Sequence, residues 1–475
     1  MLEQFIKNRI IHKLPFEANE GQRILLDKLS QFITSSDPRK AFILRGYAGT
    51  GKTTIMAALV EALQQLQQRI VLLAPTGRAA KVLSRHSHTP AYTIHKYIYR
   101  QKRLGEDIFT LNDNLHHDTL FIVDEASMIS GLRDNPMFGS GILLDDLVRY
   151  VYNDKGCYLL MLGDDAQLPP IGSNKSPALD ETYMSGYQLS IFSHTLTEVA
   201  RQAIDSGILE NATRLRPLAL GDSTEEIRNG LVDNIWKIIE FRKDICTVSG
   251  TELLEAIEQS YSEVGVEETI LLTRTNKRTN IYNQGIRARI LWKEEEIGNG
   301  DRVMVCKNNY FWTEKYDNLP FLANGDMLEI VRLRNIREIY GYHFADAQLR
   351  SLDYDWEIDV VLWLETIHSD NPDTIQKMHK DLFYKIAEDY PELQHRRKEL
   401  TETIYKSPYY NALQIRMAYA ITGHKSQGGQ WARVFIDPYK GGEEKTSKEN
   451  IIAYYRWLYT TITRATEKVY FIKNT

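Results

Sequence analysis

The sequence is short of cysteine, of long apolar runs and of excess basic charge. Its 475 residues include three cysteines, Cys157, Cys246 and Cys306. They stand far apart, which excludes a disulfide framework and the paired spacing of a structural zinc site and fits a reducing cytosol. No stretch reaches the roughly 20 apolar residues that a membrane-spanning helix needs. The opening residues MLEQFIKNRIIHKLPFEANEGQ lack the continuous apolar core and small-residue cleavage site of a signal peptide. A membrane or secreted protein is therefore not expected, and the expected location is cytoplasmic. Lysine and arginine number 58 against 63 aspartates and glutamates, a formal charge of -5. Such a surface has no global pull on nucleic acid, although an internal channel can be positive on an acidic protein. Repeats and low-complexity segments are missing as well. The chain is too long for one ordinary core, so two major domains with smaller insertions are expected.

What is present is a series of short apolar runs that end in polar residues. AFILR (41–45), RIVLLAP (69–75), TLFIVDE (119–125) and CYLLMLGD (157–164) are apolar throughout. That pattern suits strands buried on both faces of a parallel sheet, where sites gather at the carboxyl ends. Between two of them, residues 96–118 hold two aromatic, partly alternating stretches around Leu104-Gly105-Glu106, which predicts a projecting β-hairpin. A second domain is expected to open near residue 197. Residues 300–363 change to short alternating runs separated by Asn, Gly and Asp, a β-rich insertion. Residues 371–402 return to charged helical periodicity, and from 409 the main domain resumes with LQIRMAYAI.

Two motifs carry chemistry outright. Gly46-Tyr47-Ala48-Gly49-Thr50-Gly51-Lys52-Thr53 matches the phosphate-binding loop, with a strand before it and a helix after it. Its glycines let backbone N–H groups converge on phosphate oxygens, and the helix N-terminus adds its positive end. Lys52 would neutralise the β- and γ-phosphates of ATP, the Thr53 hydroxyl would join the shell of a magnesium ion, and Thr54 follows in the first turn. Phe121-Ile122-Val123-Asp124-Glu125 supplies the other half. Asp124 at the end of an apolar strand is placed to hold magnesium through water, and Glu125 to polarise the attacking water.

Many unrelated proteins share those two elements, so the class must come from their surroundings. Gly163-Asp164-Asp165-Ala166-Gln167-Leu168-Pro169-Pro170-Ile171-Gly172 follows one strand, and Ala74-Pro75-Thr76-Gly77-Arg78-Ala79-Ala80-Lys81 follows an earlier one. Near the other end lie Thr422-Gly423-His424-Lys425-Ser426-Gln427-Gly428 and Tyr459-Thr460-Thr461-Ile462-Thr463-Arg464-Ala465. Together, and in this order, these motifs resemble the superfamily 1 DNA helicases of the RecD-like and Dda-like branch, from Gln22 to the last strand.

The resemblance implies an α/β fold of two RecA-like P-loop NTPase domains, 1–196 and 197–475. The hairpin at about 96–118 would be a duplex-splitting pin inserted in the first domain. The segment at about 300–408 would be an SH3-like β-rich insertion with a helical arm in the second. Gln22 is similar to the glutamine that reads the adenine edge, and Gln167 to the γ-phosphate sensor that couples hydrolysis to the DNA path. Arg201 and Arg464 are similar to the two arginines that reach the nucleotide from the second domain, where their forked donors suit phosphate. Thr76, Arg78, Lys81, Thr93 and His95 from the first domain, and Thr422, His424, Lys425 and Ser426 from the second, resemble residues near the DNA backbone or the domain interface. Asn276 and Asn283 are weaker candidates, and Tyr92, Tyr97, Tyr99 and Phe109 are candidates for stacking on bases, with Tyr99 or Phe109 as the wedge of the pin.

The implied activity is ATP-dependent, magnesium-assisted 5′-to-3′ movement on single-stranded DNA with separation of a tailed duplex. The protein would act as a monomer, in replication, recombination or repair and alongside other proteins of those processes. A DNA-stimulated translocase or protein-displacing ATPase with little unwinding, and a helicase acting on RNA or on both nucleic acids, remain alternatives.

Overall fold

In the computed structural model the described residues are 2–101, 109–133, 138–153, 156–199, 206–222, 235–316, 319, 321–369, 371–439 and 447–473. Arg201 and the hairpin residues 103–106 lie outside them. The chain divides into two compact units, one of Met1–Arg100, Ile108–Val248 and Ser426–Thr475, the other of Gln101–Asp107 and Ser249–Lys425.

The first unit is built on the apolar runs. Strands β1 (Lys40–Gly46), β2 (Arg69–Ala74), β3 (Ala91–Thr93), β6 (Thr119–Val123), β7 (Tyr158–Gly163) and β8 (Ser190–Leu196) form one sheet in the order β3-β2-β6-β7-β1-β8. Pairing is parallel between β1 and both β7 and β8, and between β2 and both β3 and β6. Strands buried on both faces cannot alternate, which is why these segments are apolar at every position. One face is covered by the helices Leu2–Ile11, Glu20–Thr34, Lys52–Gln65 and Gly77–Ser87, which close a core around Phe32, Phe42, Leu59, Leu63, Leu72 and Leu160. This is the RecA-like P-loop arrangement. The register brings Arg45 opposite Gly163 and Leu73 opposite Val123. The loops that leave β1, β7, β2 and β6 therefore emerge side by side at the carboxyl edge.

The sequence-predicted hairpin has a described base. Strands β4 (Tyr99–Gln101) and β5 (Phe109–Leu111) form a two-stranded sheet. Phe138 pins it: its ring stacks on Phe109 at 4.9 Å and lies 4.9 Å from Tyr99. Asp146 accepts the Tyr99 hydroxyl at 2.7 Å. Both candidate wedge residues, Tyr99 and Phe109, are thus buried core of the hairpin base and are not available to split a duplex.

The helices Gly207–Leu220 and Lys448–Ile462 and the strands β9 (Ile245–Ser249, all but its last residue), β17 (Trp431–Ile436) and β18 (Ala465–Lys473) also belong to the first unit, β17 and β18 pairing in parallel.

In the second unit, β10 (Thr269–Thr273) and β16 (Ala420–Thr422) pair in parallel. The β-rich segment is a closed barrel of β11 (Arg302–Val305), β12 (Met327–Ile339), β13 (Tyr342–Ser351), β14 (Glu357–Trp363) and β15 (Leu413–Met417). The run LQIRMAYAI does not form one strand. Its first half closes the barrel against β11, its second half joins β10, and the bend between them is held by Asn283. The Asn283 amide donates to the carbonyls of Met417 and Ala420, both at 3.0 Å, and accepts from the N–H groups of Tyr419 at 3.0 Å and Ala420 at 2.7 Å. With every hydrogen-bonding position used and the side chain buried, Asn283 is a structural staple and not a DNA contact. The charged stretch 371–402 is two helices, Pro372–Ala387 and Arg397–Tyr405, whose Leu382, Ile386, Leu400 and Ile404 pack on Phe344 and Trp363 of the barrel. Each such fully buried apolar side chain contributes roughly 1.5–3 kcal/mol.

Candidate nucleotide site

The loop between β1 and the helix Lys52–Gln65 turns twice through the left-handed region, at Gly49 (φ 74°) and Gly51 (φ 86°). A Cβ on Gly49 would come within 2.7 Å of the Leu209 side chain, so both conformation and space demand glycine there. Lys52 Nζ folds over the loop, donating to the carbonyls of Gly46 and, at 3.0 Å, Tyr47. A Cβ on Gly46 would stand 2.8 Å from the Lys52 side chain. The bare Gly46 backbone is therefore what gives this lysine room. Thr53 and Thr54 occupy the first turn of the helix.

Gln22 braces the loop from behind. It is 1% exposed. Its N–H donates to Asn19 Oδ1 at 2.8 Å and its Oε1 accepts from Asn19 N–H at 3.0 Å, a capping box for the helix Glu20–Thr34. Its Nε2 donates to the Thr50 carbonyl at 3.0 Å. Both polar atoms of the side chain are thereby engaged within the protein.

Next to the loop stands the acidic pair. Asp124 closes β6, and its carboxylate accepts the N–H of Glu125 at 2.8 Å. Glu125 adopts φ 50°, a left-handed conformation that costs a non-glycine residue on the order of 1–2 kcal/mol. Strain of this kind is retained where the surroundings over-determine it, as they do at active sites. Burial raises the pKa of Asp124, opposed by the Glu125 N–H, Lys52 and His86. Burial raises that of Glu125 too, opposed chiefly by Arg464. A carboxylate displaced upward is a stronger base, which suits activation of water.

Arg464 arrives from the far end of the sequence. Its guanidinium lies 3.9 Å from Glu125 Oε1 and is anchored by the carbonyls of Thr460 at 3.1 Å and Gly429 at 3.3 Å, with 4% of the residue exposed. Gln167 is buried after β7, and its Oε1 finds no hydrogen-bond partner among the described residues; neither do the buried Asp165 Oδ1 and Ser127 Oγ. Buried polar atoms without partners are costly and rare. Three such atoms on the segments that follow β6 and β7 fit a polar ligand. The loop N–H groups, Lys52, Thr53 and Asp124 are a donor and acceptor set that fits a nucleotide triphosphate with a hard divalent cation.

The other candidates divide. Thr76 caps the helix Gly77–Ser87, accepting from Ala79 N–H at 3.2 Å. The Arg78 guanidinium lies over the Trp431 ring, 3.9 Å from its centre, and donates to the Gln430 carbonyl at 3.1 Å. Lys81 is exposed on the same helix. Thr93 caps the helix Ile94–Ile98 through Lys96 N–H at 3.3 Å. His95 packs edge-on against Phe138 at 5.1 Å, and burial pushes its pKa down to about 4. At neutral pH it is uncharged and offers phosphate no cation. Ser426 is buried in the first unit, whereas Thr422, His424 and Lys425 belong to the second, where Lys425 Nζ donates to Asn324 at 2.7 Å. Tyr92 is exposed against Tyr97, whose hydroxyl pairs with His116 at 2.8 Å.

Sequence reasoning missed the residues that bind the motifs to one another. Tyr459 bridges Ala48 and Asp164, Thr460 holds Leu168 N–H at 2.9 Å, and Gln427 donates to the Leu168 carbonyl at 2.7 Å. Their signal was their position, since Tyr459 and Thr460 lie about one helical turn before Arg464 and Gln427 lies inside a recognised motif.

Two protein-family models match the chain, an AAA domain over residues 17–229 and a UvrD-like helicase C-terminal domain over residues 417–472. An uncharacterized protein, R530 of Acanthamoeba polyphaga mimivirus, is 25% identical over 96% of this chain and 99% of its own length. The ATP-dependent DNA helicase dda of Enterobacteria phage T4 is 26% identical over 66% of this chain and 67% of its own length. Among solved structures, Pif1 helicase from Bacteroides in complex with ADP-AlF3 and ssDNA covers 96% of this chain and 92% of its own at 16% identity, with a TM-score of 0.47.

Proposed function

We propose that the chain, which matches an AAA domain and a UvrD-like helicase C-terminal domain and is similar to the dda helicase, is an ATP-dependent DNA helicase of the RecD-like and Dda-like branch of superfamily 1 that moves 5′ to 3′ along single-stranded DNA and separates the duplex ahead of it. The observation that carries this reading is the convergence of Lys52, Asp124 and Glu125 with Arg464, residues from opposite ends of the sequence, at one carboxyl edge. In this reading residues 1–196 and 197–475 are the two motor domains, and Arg464 together with Arg201 makes hydrolysis depend on their closure.

Lys52 and the loop N–H groups bind the β- and γ-phosphates, and Glu125 orients and deprotonates the attacking water. Arg464 meets the charge that develops on the transferred phosphoryl group. Thr53 and Asp124 hold the magnesium ion, which supplies further neutralisation of that charge when bound. Gln167 senses the γ-phosphate. Thr76, Arg78, Lys81 and Thr93 of the first domain and Thr422, His424, Lys425 and Ser426 of the second line or support a strand path that reads backbone and not bases. Such a path gives little sequence preference and steep salt dependence. One chain carries every residue of the site, so a monomer suffices.

The test is ATP-dependent strand displacement on matched duplexes with a 5′ or a 3′ single-stranded tail. Displacement from the 5′ tail alone is expected. Displacement from the 3′ tail alone overturns the direction, and ATP turnover stimulated by DNA without displacement replaces unwinding by translocation alone.

A further inference from the structure

The Tyr459 hydroxyl lies at the centre of a buried hydrogen-bond chain that none of the assigned roles uses. Its oxygen accepts from Ala48 N–H of the phosphate loop at 3.0 Å, and its proton goes to Asp164 Oδ2 at 2.6 Å. Asp164 is 1% exposed. Its other carboxylate oxygen accepts from Ala166 N–H at 3.0 Å, and its carbonyl from Gln167 N–H at 3.3 Å. The neighbouring Thr460 hydroxyl donates to the Arg456 carbonyl at 2.7 Å and accepts from Leu168 N–H at 2.9 Å. Two successive residues of the helix Lys448–Ile462 thus hold the segment on both sides of Gln167.

The direction of the chain follows from the chemistry. The Tyr459 hydroxyl donates to the Asp164 carboxylate, in a short bond of the strong kind. Burial, and then Asp164, raise the Tyr459 pKa well above its ordinary value, so that proton stays in place. With its proton committed, the oxygen can only accept, and what it accepts is the N–H of Ala48. The loop N–H groups are also the donors that converge on phosphate oxygens. A phosphate oxygen and the Tyr459 oxygen therefore compete for one donor.

We propose that Tyr459 is a positioning residue that passes the occupancy of the phosphate loop to the Gln167 segment, through Asp164 on one side and Thr460 on the other. The proposal rests on the ATP-driven DNA motor described above. When Ala48 N–H turns to a phosphate oxygen, Tyr459 loses a partner and its hold on Asp164 readjusts. The backbone on which Gln167 sits moves with Asp164.

The experiment measures the ratio of ATP turnover with oligothymidylate to turnover without it. Tyr459→Phe removes one oxygen, and the ratio should fall about tenfold, the order expected for one charge-assisted hydrogen bond. Asp164→Asn should lower it similarly, and the double variant no further than either single one. Thr460→Ser, which keeps the hydroxyl, should retain the ratio, whereas Thr460→Val should lose it. An unchanged ratio in Tyr459→Phe, losses that multiply in the double variant, or equal ratios in the two Thr460 variants each overturn the proposal. An unsubstituted protein that DNA does not stimulate overturns the motor reading instead, so the two failures are distinct.

Discussion

Two buried aspartates, one in each compact unit, show how the same residue type serves fold and function differently. Asp301, 0% exposed, is saturated. It receives Arg287 through two bonds of 3.1 and 2.8 Å, Lys293 at 2.8 Å, the Tyr419 hydroxyl at 2.9 Å and Gly298 N–H at 2.7 Å. Burial alone would raise its pKa, but Arg287 and Lys293 hold it below the usual carboxylate value. Asp164 is as deeply buried, yet it belongs to a neighbourhood in which Asp165, Gln167 and Ser127 each keep a buried polar atom unpaired among the described residues. A closed polar cluster fixes one conformation. An unfinished one is prepared for a partner that comes and goes.

The contrast can be broken from either side. Asp301→Ala leaves the Arg287 guanidinium buried without its counter-charge, and should cost about 3–5 kcal/mol in urea unfolding while turnover per folded molecule stays within about twofold, as expected for a site that makes no contact with ATP. A loss of turnover without loss of stability would make Asp301 a functional residue and dissolve the comparison. Gln167→Leu is the reverse case. Removing an amide whose buried oxygen has no partner among the described residues should change stability by no more than about 1 kcal/mol, while DNA-stimulated turnover falls on the order of 100-fold. Destabilisation as large as that of Asp301→Ala, with turnover intact, would show that Gln167 is core.

Much of the candidate nucleotide site was legible in the sequence because its elements are contiguous. A glycine loop between an apolar run and a helical one, or an acidic pair closing an apolar run, needs no knowledge of distant residues. The capping box that Asn19 and Gln22 form was not read from the sequence, where Gln22 stood as the residue at the adenine edge. Legibility fails where the environment comes from remote segments. His95 resembles a phosphate-contact residue in sequence, and nothing local shows that Phe138, more than forty positions on, packs against it or that desolvation lowers its pKa. Tyr99 and Phe109 are aromatic in a projecting hairpin, but Phe138 and Asp146 bury them at its base. LQIRMAYAI reads as one strand because nothing local marks the bend that Asn283 imposes. The Tyr459 relay joins residues separated by hundreds of positions, a pairing that no local pattern encodes.

Arg464, beside Glu125, is proposed to complete an ATP site begun by Lys52, Asp124 and Glu125. The most direct measurement is steady-state ATP turnover of Arg464→Ala with saturating single-stranded DNA, set beside Lys52→Ala, with DNA affinity measured in parallel. Turnover in Arg464→Ala should fall on the order of 1,000-fold towards the background set by Lys52→Ala, with DNA affinity changed much less. Turnover equal to that of the unsubstituted protein would contradict the account, because the guanidinium beside Glu125 would then have no part in hydrolysis.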